Sequence, residues 1–275
     1  MHKSAKKTLE TFLAEDIGKG DITSKLLPRK KIVAIIISRE EGTIAGVSYV
    51  KEIFTSRKCM VSIHKKDGQK VQANEKIMTI TGKAYPILSC ERTALNLLSR
   101  MSGIATQTNK LVKKISHVNS KVKLYSTRKT APGLRVFDKE AVEIGGGYKH
   151  RMSLDQMIMI KDNHIAISGA LVDLIRRAKH KHKKLEVEVE SLKDAMLAAQ
   201  EGVDIIMLDN RSPSQIRDII KSLTKANLRK HVKIEASGGI NESNIKSYAK
   251  TGVDMISIGK LTNSVIGLDL SLEVS

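Results

Sequence analysis

The chain has 275 residues, of which 41% are hydrophobic and only 3% aromatic, with two cysteines and a formal net charge of +19. This length suits a large α/β barrel or two ordinary domains, built around an aliphatic core. Two cysteines make neither a disulfide framework nor a metal-binding spacing, which indicates a reducing compartment. No apolar run has the length of a signal-peptide core or a membrane span, so the expectation is a cytoplasmic protein with no membrane partner.

The large positive charge raises the possibility of nucleic-acid binding. The basic residues are spread along the chain, however, and there is no zinc-finger spacing and no aromatic RNA-binding pattern. Five tyrosines and three phenylalanines also offer few surfaces on which bases could stack. The composition therefore favours an acidic small-molecule substrate, which accounts for the sign of the charge but not for its size.

Residues 1–105 are predicted to form a small α+β domain. The run Ile32 to Ile37 is expected to be a strand that is buried on both faces. A first helix is predicted from its apolar face, formed by Leu9, Phe12, Leu13 and Ile17. The other predicted elements are a helix over Val47 to Phe54, a strand over Val61 to Lys65 and two short strands about a turn between Asp67 and Ile80.

A further helix is predicted from Glu91 onward, because apolar residues recur on one of its faces. Arg92 lies at its start, where an arginine commonly pairs with a nearby carboxylate. Arg100 adds a cation for which the sequence shows no partner. The apolar face consists of Ala94, Leu97, Leu98 and Met101.

From about residue 106 the pattern changes to a repeat of strand, loop and helix. This alternation predicts parallel strands with crossover helices, and it fits an incomplete, about seven-stranded α/β barrel over residues 106–265. An open doubly wound sheet is the alternative, although no GxGxxG follows the first strand. Residues 266–275 are expected to be a tail that returns to the N-terminal domain. The predicted strands are Val122 to Tyr125, Met157 to Ile160, Leu185 to Val189, Ile205 to Leu208, Val232 to Ala236 and Met255 to Ile258.

Basic side chains come at the exits of predicted strands and beside glycine turns in this second part. Each one alone is most simply a solvated surface residue. Their repetition at three places favours one pocket for a small ligand with several negative charges. The residues are Arg128 and Lys129, His150 and Arg151, and Lys161.

Glu186, Glu188 and Glu190 are predicted to share one face of a strand. A central parallel strand is normally apolar on both faces, so these carboxylates would need cationic or metal partners. The basic residues of the pocket, Arg128, Lys129 and Lys161, are the expected partners. An edge strand with one wet face is the alternative.

The ends of the last predicted strands carry groups suited to phosphate and metal. Asp209 adds a carboxylate at one strand exit, and glycines follow the last two strands, where barrels of this type bind phosphate through backbone N–H groups. Asn241 is expected to cap a helix that runs to Lys250. The phosphate-binding residues predicted here are Ser237, Gly238, Gly239 and Gly259.

The segments RKTAPGLR (128–135), GGGYKHR (145–151) and IKDNH (160–164) closely resemble motifs of quinolinate phosphoribosyltransferase, and the resemblance covers nearly the whole chain. It implies transfer of phosphoribosyl from phosphoribosyl pyrophosphate to quinolinate with decarboxylation, which gives nicotinate mononucleotide for NAD biosynthesis. A related phosphoribosyltransferase acting on another aromatic acid is the main alternative. A Schiff-base aldolase using Lys161 ranks lower, and a nucleic-acid binder ranks last.

The resemblance also implies roles for individual residues. Lys129, Lys161 and Glu188 would be catalytic, and Glu188 and Asp209 would hold Mg²⁺. Arg92 would reach the substrate of a neighbouring subunit, which requires a homodimer or a higher homo-oligomer. The ring carboxylates of quinolinate would be bound by Arg92, Arg128, His150, Arg151 and Lys161.

Two positions depart from the family pattern. Relatives often carry histidine where this chain has Tyr148, and histidine before serine where it has Asn263 and Ser264. The first departure is expected to affect the geometry of substrate binding near His150. The second is expected to affect the affinity for the phosphate end of the substrate without changing the reaction.

Overall fold

The computed structural model describes residues 3–181 and 183–274. The predicted N-terminal domain and tail also include residues 1, 2 and 275, which lie outside the described residues. The chain divides into two compact units: unit 1 is Met1–Asn109, Thr130–Gly146 and Leu261–Ser275, and unit 2 is Lys110–Lys129 and Gly147–Lys260. The division is not the contiguous one predicted, because residues 130–146 belong to unit 1.

The helices and strands are numbered in chain order. The helices are α1 (Lys3–Ile17), α2 (Val47–Ser56), α3 (Ala84–Ser116), α4 (Arg135–Ile144), α5 (Asp162–Ser168), α6 (Leu171–Lys179), α7 (Leu192–Gln200), α8 (Pro213–Lys225), α9 (Ile245–Ala249) and α10 (Lys260–Asn263). The strands are β1 (Lys31–Ser38), β2 (Gly42–Thr43), β3 (Met60–Ile63), β4 (Lys70–Val71), β5 (Lys76–Lys83), β6 (Lys123–Tyr125), β7 (Ile158–Ile160), β8 (Leu185–Val189), β9 (Ile205–Asp209), β10 (Lys233–Ser237), β11 (Met255–Ser257) and β12 (Leu270–Val274).

Unit 1 contains an antiparallel sheet in the order β12-β1-β5-β3. Ile32, Ala34 and Ile36 of β1 are buried, whereas Val33 is 37% exposed. The prediction that this strand is buried on both faces is therefore wrong, because the first half of β1 alternates as a strand with one covered face does. The strand β12 pairs with β1, from Ala34 opposite Val274 to Ser38 opposite Leu270.

The two short strands predicted between Asp67 and Ile80 are present as β4, which pairs with β2, and β5, which pairs with β1 and β3. One further prediction for unit 1 needs correction. The helix α3 begins at Ala84, ahead of the predicted start at Glu91. Pro86 is compatible with this start because it lies in the first turn, where its missing N–H has no helical partner to lose. The predicted apolar face of α3 is buried in full.

Unit 2 contains a sheet in the order β6-β11-β10-β9-β8-β7, with parallel pairing throughout. Tyr148 forms an isolated parallel bridge with Tyr125 of β6. Because β6 is an outer strand of the six-stranded sheet, this bridge adds a seventh strand position at that edge. The predicted α/β class is confirmed. Apolar residues of the strands, such as Val187, Ile206 and Ile234, are fully buried.

The helix that follows β10 is shorter than predicted. It runs over Ile245–Ala249, and Asn241 lies in a turn ahead of it instead of capping it. The Asn241 side chain accepts a hydrogen bond from the backbone N–H of Ser243 at 2.9 Å. The backbone N–H of Asn241 donates to Asn244 Oδ1 at 2.9 Å. Across residues 3–181 and 183–274, no helix has both the length and the apolar character needed to cross a membrane.

Candidate active site

A cavity of about 380 Å³ lies in unit 2 at the carboxyl ends of the parallel strands. Parallel strands all end at the same edge of a sheet, so residues that are distant in sequence meet there. The lining residues come from every strand of the sheet or from the loops that follow them. They are Ser126, Thr127, Arg128, Lys129, His150, Arg151, Leu154, Met159, Lys161, His164, Glu188, Met207, Asp209, Glu235, Ser237 and Ser257.

The cavity brings together most of the residues predicted from the sequence. The predicted residues in its lining are Arg128, Lys129, His150, Arg151, Lys161, Glu188, Asp209 and Ser237. Gly238 and Gly239 follow Ser237 directly, and Gly259 lies against Lys129. Arg92 belongs to unit 1, where its side chain is exposed on α3.

Lys161 and Glu188 form an ion pair in the cavity. Lys161 is the N-cap residue of α5, and its backbone N–H donates to His164 Nδ1 at 3.0 Å, which fixes the start of the helix. The side chain of Lys161 is 38% exposed and that of Glu188 only 14%. The strand β8 therefore holds Glu188 firmly, while the lysine can move.

Glu186 of β8 and Glu190, which directly follows β8, do not have the cationic partners expected from the sequence. Glu190 is 66% exposed and lies 3.7 Å from Arg211. Glu186 is fully buried, and His150 Nε2 lies 3.3 Å from its Oε2 and also 3.3 Å from Oε2 of Glu235. The expected partnership of Glu186 with Lys161, Arg128 or Lys129 is wrong, because Glu186 points to the interior side of the cluster.

The imidazole of His150 has one Nε2–H bond for two carboxylates. The hydrogen-bond geometry is met towards Glu235, whereas both oxygens of Glu186 have no hydrogen-bond partner within the described residues. Ser257 Oγ donates to the other oxygen of Glu235. On the opposite side of the ring, His150 Nδ1 accepts a hydrogen bond from the backbone N–H of Arg151 at 2.9 Å. Both ring nitrogens are thus engaged by the protein.

This cluster retains protons more strongly than isolated groups would. Burial lowers the pKa of His150, but its attraction to Glu186 and Glu235 and its hydrogen bond with Glu235 outweigh burial and raise that pKa. Burial also raises the pKa of Glu186. Acceptance at Nδ1 requires that nitrogen to be unprotonated, so we assign the retained proton to the carboxylate side of the cluster and not to Nδ1. The site as a whole titrates, not the imidazole alone.

Arg128 and Arg151 form the most electropositive part of the cavity. The Nε atom of Arg128 is buried and has no hydrogen-bond partner among the described residues. Arg151 donates to the carbonyl of Met157 at 3.1 Å. Burial, and then repulsion by Arg128, lower the pKa of the Arg151 guanidinium. Two neighbouring guanidinium groups that repel each other favour an anionic ligand between them.

The loops after β10 and β11 require glycine. A Cβ atom on Gly238 would lie 2.2 Å from Oδ1 and 2.7 Å from the backbone nitrogen of Asn210, and Gly238 has a φ of +84°. A Cβ atom on Gly259 would lie 2.9 Å from Lys129 Cδ. These glycines let the loops approach each other and bring backbone N–H groups to the cavity edge, as phosphate binding requires.

The cavity also contains two polar residues that the sequence did not single out. Glu235 and Ser257 line it, next to the predicted residue His150. A signal for Glu235 was present, because a single charge stands between Ile234 and Ala236 in a buried strand. The argument applied to β8, that such a carboxylate needs a partner, applies equally to β10.

Three residues singled out from the sequence lie outside the cavity lining. Tyr148 is 43% exposed, and its ring stacks on Tyr125 with 5.1 Å between the centroids. Asn263 is exposed at the end of α10. Arg100 has a structural partner: its Nε and one terminal nitrogen bind the two oxygens of the buried Asp138 at 2.7 and 3.0 Å.

Comparison with known proteins gives consistent matches over almost the whole chain. The model of the quinolinate phosphoribosyl transferase N-terminal domain matches residues 21–102, and that of the C-terminal domain matches residues 104–273. A probable nicotinate-nucleotide pyrophosphorylase [carboxylating] of Methanothermobacter thermautotrophicus is 45% identical, covering 97% of both chains. One from Bacillus subtilis is 41% identical, covering 100% of this chain and 94% of its own.

Solved structures agree with these sequence matches. The nicotinate-nucleotide pyrophosphorylase of Francisella tularensis superposes with a TM-score of 0.92 at 39% identity, covering 99% of this chain and 96% of its own. The corresponding protein of Ehrlichia chaffeensis gives a TM-score of 0.93 at 36% identity, with 100% and 99% covered.

Proposed function

The chain belongs to the quinolinate phosphoribosyltransferase family, and we propose that the cavity of unit 2 is where it transfers phosphoribosyl from phosphoribosyl pyrophosphate to quinolinate. The reaction releases pyrophosphate and carbon dioxide and yields nicotinate mononucleotide for NAD biosynthesis. One observation carries the assignment of the site: five basic side chains lie in one cavity together with the carboxylates of Glu188 and Asp209. These residues are Arg128, Lys129, His150, Arg151, Lys161, Glu188 and Asp209.

Quinolinate brings two ring carboxylates, and the cavity has donors for both. Arg128 offers an Nε–H that no described residue accepts, and Arg151 is a partly buried guanidinium repelled by Arg128, which an anion between the two would stabilise. Lys161 can turn from Glu188 to a ring carboxylate, since its side chain is the more exposed partner of the pair. Two fixed guanidinium groups and one movable ammonium orient the ring so that its nitrogen faces the ribose.

The transfer step develops charge that the neighbouring residues stabilise. The pyridine nitrogen attacks the anomeric carbon, and the bond to pyrophosphate breaks through an oxocarbenium-like transition state. Glu188 stabilises the positive charge growing on the ribose, and Lys129 balances the negative charge on the leaving pyrophosphate. A Schiff-base role for Lys161 is not favoured, because its side chain is paired with Glu188 in a polar cavity and does not lie in an apolar pocket.

The carboxylates of Glu188 and Asp209 suit Mg²⁺, which we propose as the cofactor. Lys161 donates a hydrogen bond to Oε2 of Glu188, and the Asn210 side chain donates to Oδ2 of Asp209 at 2.6 Å. Each carboxylate can therefore offer its other oxygen to the metal ion. Mg²⁺ is commonly held by one or two carboxylates together with substrate phosphates and water. When bound, it would neutralise charge on the pyrophosphate.

The 5′-phosphate of the ribose is assigned to the loops after β10 and β11. Ser237 lines the cavity, and Gly239 has a φ of +62° with open space where a Cβ would be. The backbone N–H groups of Gly238, Gly239 and Gly259 are suited to a phosphate at this edge.

We further propose a cytoplasmic homo-oligomer, at least a dimer, in which Arg92 binds quinolinate in a neighbouring subunit. The exposed position of Arg92 on α3 leaves its guanidinium available to a second copy. The Arg92→Ala and Lys129→Ala variants should each be inactive, and mixing them should restore part of the activity as subunits exchange. No recovery after verified exchange would refute the role of Arg92 across an interface.

The activity is tested with quinolinate, phosphoribosyl pyrophosphate and Mg²⁺, following nicotinate mononucleotide and carbon dioxide. Nicotinate serves as a parallel acceptor. Turnover of quinolinate alone is expected, since a single carboxylate cannot engage both arginines and Lys161. Turnover of nicotinate but not quinolinate would refute the assignment of the cation cluster. Full activity without Mg²⁺ would refute the proposed metal cofactor.

A further inference from the structure

A chain of hydrogen bonds leads from the interior of unit 2 to Arg151. Ser257 donates to Glu235, His150 Nε2 lies 3.3 Å from Glu235 Oε2, and the backbone N–H of Arg151 donates to His150 Nδ1 at 2.9 Å. The chain starts on β11, passes through β10 and ends at the cavity. It is almost fully enclosed: the side chains of Glu235 and His150 are 0% and 7% exposed.

The backbone at His150 needs such support. Its φ is +54°, a left-handed conformation that residues with a Cβ rarely adopt. A strained backbone conformation persists where surrounding contacts hold it in place, and such conformations are concentrated at functional sites. The edge of the Tyr125 ring also contacts the imidazole, with 5.7 Å between the centroids. His150 is therefore held from β6, β8 and β10 at once.

This conformation determines where the next residue points. Arg151 follows His150 directly, and its guanidinium lines the cavity and donates to the carbonyl of Met157. If the imidazole turned away, Nδ1 would release the N–H of Arg151 and the left-handed backbone would lose its local support. The guanidinium would then leave the position in which it faces Arg128.

We propose that Glu235 is a positioning residue for quinolinate binding: anchored by Ser257, it holds His150 in the tautomer whose Nδ1 fixes the backbone of Arg151. This inference rests on the proposed role of Arg151 in binding a ring carboxylate. It gives Glu235 a function without substrate contact, and it explains why a carboxylate is buried in β10. Glu186 supports the same arrangement from β8 as a second negative charge 3.3 Å from Nε2.

A double-mutant cycle separates this role from a general structural one. Glu235→Ala should raise KM for quinolinate about tenfold, in line with roughly 1.4 kcal/mol of lost positioning. KM for phosphoribosyl pyrophosphate should change less than about threefold. In a His150→Ala background the Glu235 substitution should have almost no further effect, because the chain is already broken. Glu201→Ala, which removes a surface partner of Arg176, is the matched control and should leave both KM values unchanged.

Several outcomes would overturn the proposal. Additive effects of Glu235→Ala and His150→Ala would show that Glu235 does not act through His150. Equal increases in both KM values would indicate general damage to the cavity. An unchanged KM for quinolinate in Arg151→Ala would remove the premise, while the wild-type assay with quinolinate would still test the family activity separately.

A second measurement covers the case in which Glu235→Ala does not fold. Nitrogen NMR of ¹⁵N-histidine-labelled wild-type protein, with the His150 signal assigned by its loss in His150→Ala, reports the tautomer directly. The proposal expects a proton on Nε2 and none on Nδ1 near neutral pH, and a changed tautomer population in Glu235→Gln. A protonated Nδ1 in the wild type would overturn it. So would a metal-bound imidazole, since the ligand atoms of His150, Glu186 and Glu235 all lie within 4.8 Å of one another.

Discussion

Asp138 in unit 1 and Glu186 in unit 2 are both completely buried carboxylates, yet their surroundings differ in kind. Each oxygen of Asp138 accepts a hydrogen bond from Arg100, at 2.7 and 3.0 Å, and Arg100 also donates to the carbonyl of Thr262 at 3.0 Å. Neither oxygen of Glu186 has a hydrogen-bond partner in the described part of the chain. We call the first group, Arg100, Asp138 and Thr262, the closed cluster.

The difference separates charge used for stability from charge used for function. A closed cluster satisfies its own groups, so it ties together α3, α4 and the start of the C-terminal segment of unit 1. At the cavity of unit 2, buried atoms of one negative and one positive side chain have no hydrogen-bond partner among the described residues. These atoms are the carboxylate oxygens of Glu186 and the Nε of Arg128. Unsatisfied buried groups cost stability, and they persist where a substrate or a reaction uses them.

The largest effect that would test this distinction is on activity. Lys161→Ala should lower kcat/KM for quinolinate by about 10²–10³-fold, because it removes a cation aimed at the reacting ligand. Its side chain is 38% exposed, so the free energy of unfolding should change by less than about 1 kcal/mol. Kinetics and chemical denaturation measure the two effects. Lys179→Ala is the control, since that lysine donates to the carbonyl of Glu201 in a surface contact; a large loss of stability in Lys161→Ala would contradict the distinction.

The closed cluster should respond in the opposite way. Asp138→Leu should lower the free energy of unfolding by about 3 kcal/mol, because it leaves Arg100 without its counter-charge. Addition of Arg100→Met should recover most of that loss, since two apolar residues can replace a buried pair at little cost. At a temperature where the variants remain folded, KM for both substrates should stay within about threefold of wild type. If Arg100→Met does not restore stability, the ion pair of Arg100 and Asp138 must stabilise the fold by more than cancelling the cost of each buried charge.

The sequence predicted the sheet of unit 2 well because local pattern and burial agree there. Leu185 to Val189 was predicted with the observed bounds, and the cations at strand exits were predicted because parallel strands end at one edge. What could not be predicted depends on pairs distant in sequence. The partnership of Arg100 with Asp138 and that of His150 with Glu235 join positions that no local pattern connects.

The errors in unit 1 have a similar cause. The exposure of Val33 follows from the position of β1 in an antiparallel sheet, which its apolar sequence did not indicate. The start of α3 at Ala84 was missed because the apolar spacing that predicted this helix begins only at Ala94.

A graded effect is expected from pH. Burial raises the pKa of Glu186, to whose side of the cluster the retained proton is assigned, so the folded chain binds more protons than the unfolded chain above the ordinary pKa of a glutamate. The contribution of this proton to stability is complete below that ordinary pKa and is lost as the pH rises through the raised pKa. Denaturant unfolding at several pH values measures this decline. Glu235→Gln should flatten it, and an unchanged slope in that variant would contradict the assignment of the proton to this cluster.

The smallest effect should come from Tyr148, the departure from the family pattern nearest to His150. Its backbone carries the structural role, since its N–H donates to Leu124 at 2.8 Å and its carbonyl accepts from Ser126 at 2.9 Å. The side chain is 43% exposed and contributes stacking on Tyr125. Tyr148→His keeps the backbone bridge and an aromatic ring, so stability should fall by less than about 1 kcal/mol and KM for quinolinate should change by less than about threefold. A tenfold change in KM with unchanged stability would mean that this side chain contacts substrate, and the boundary of the functional region would then extend beyond the cavity.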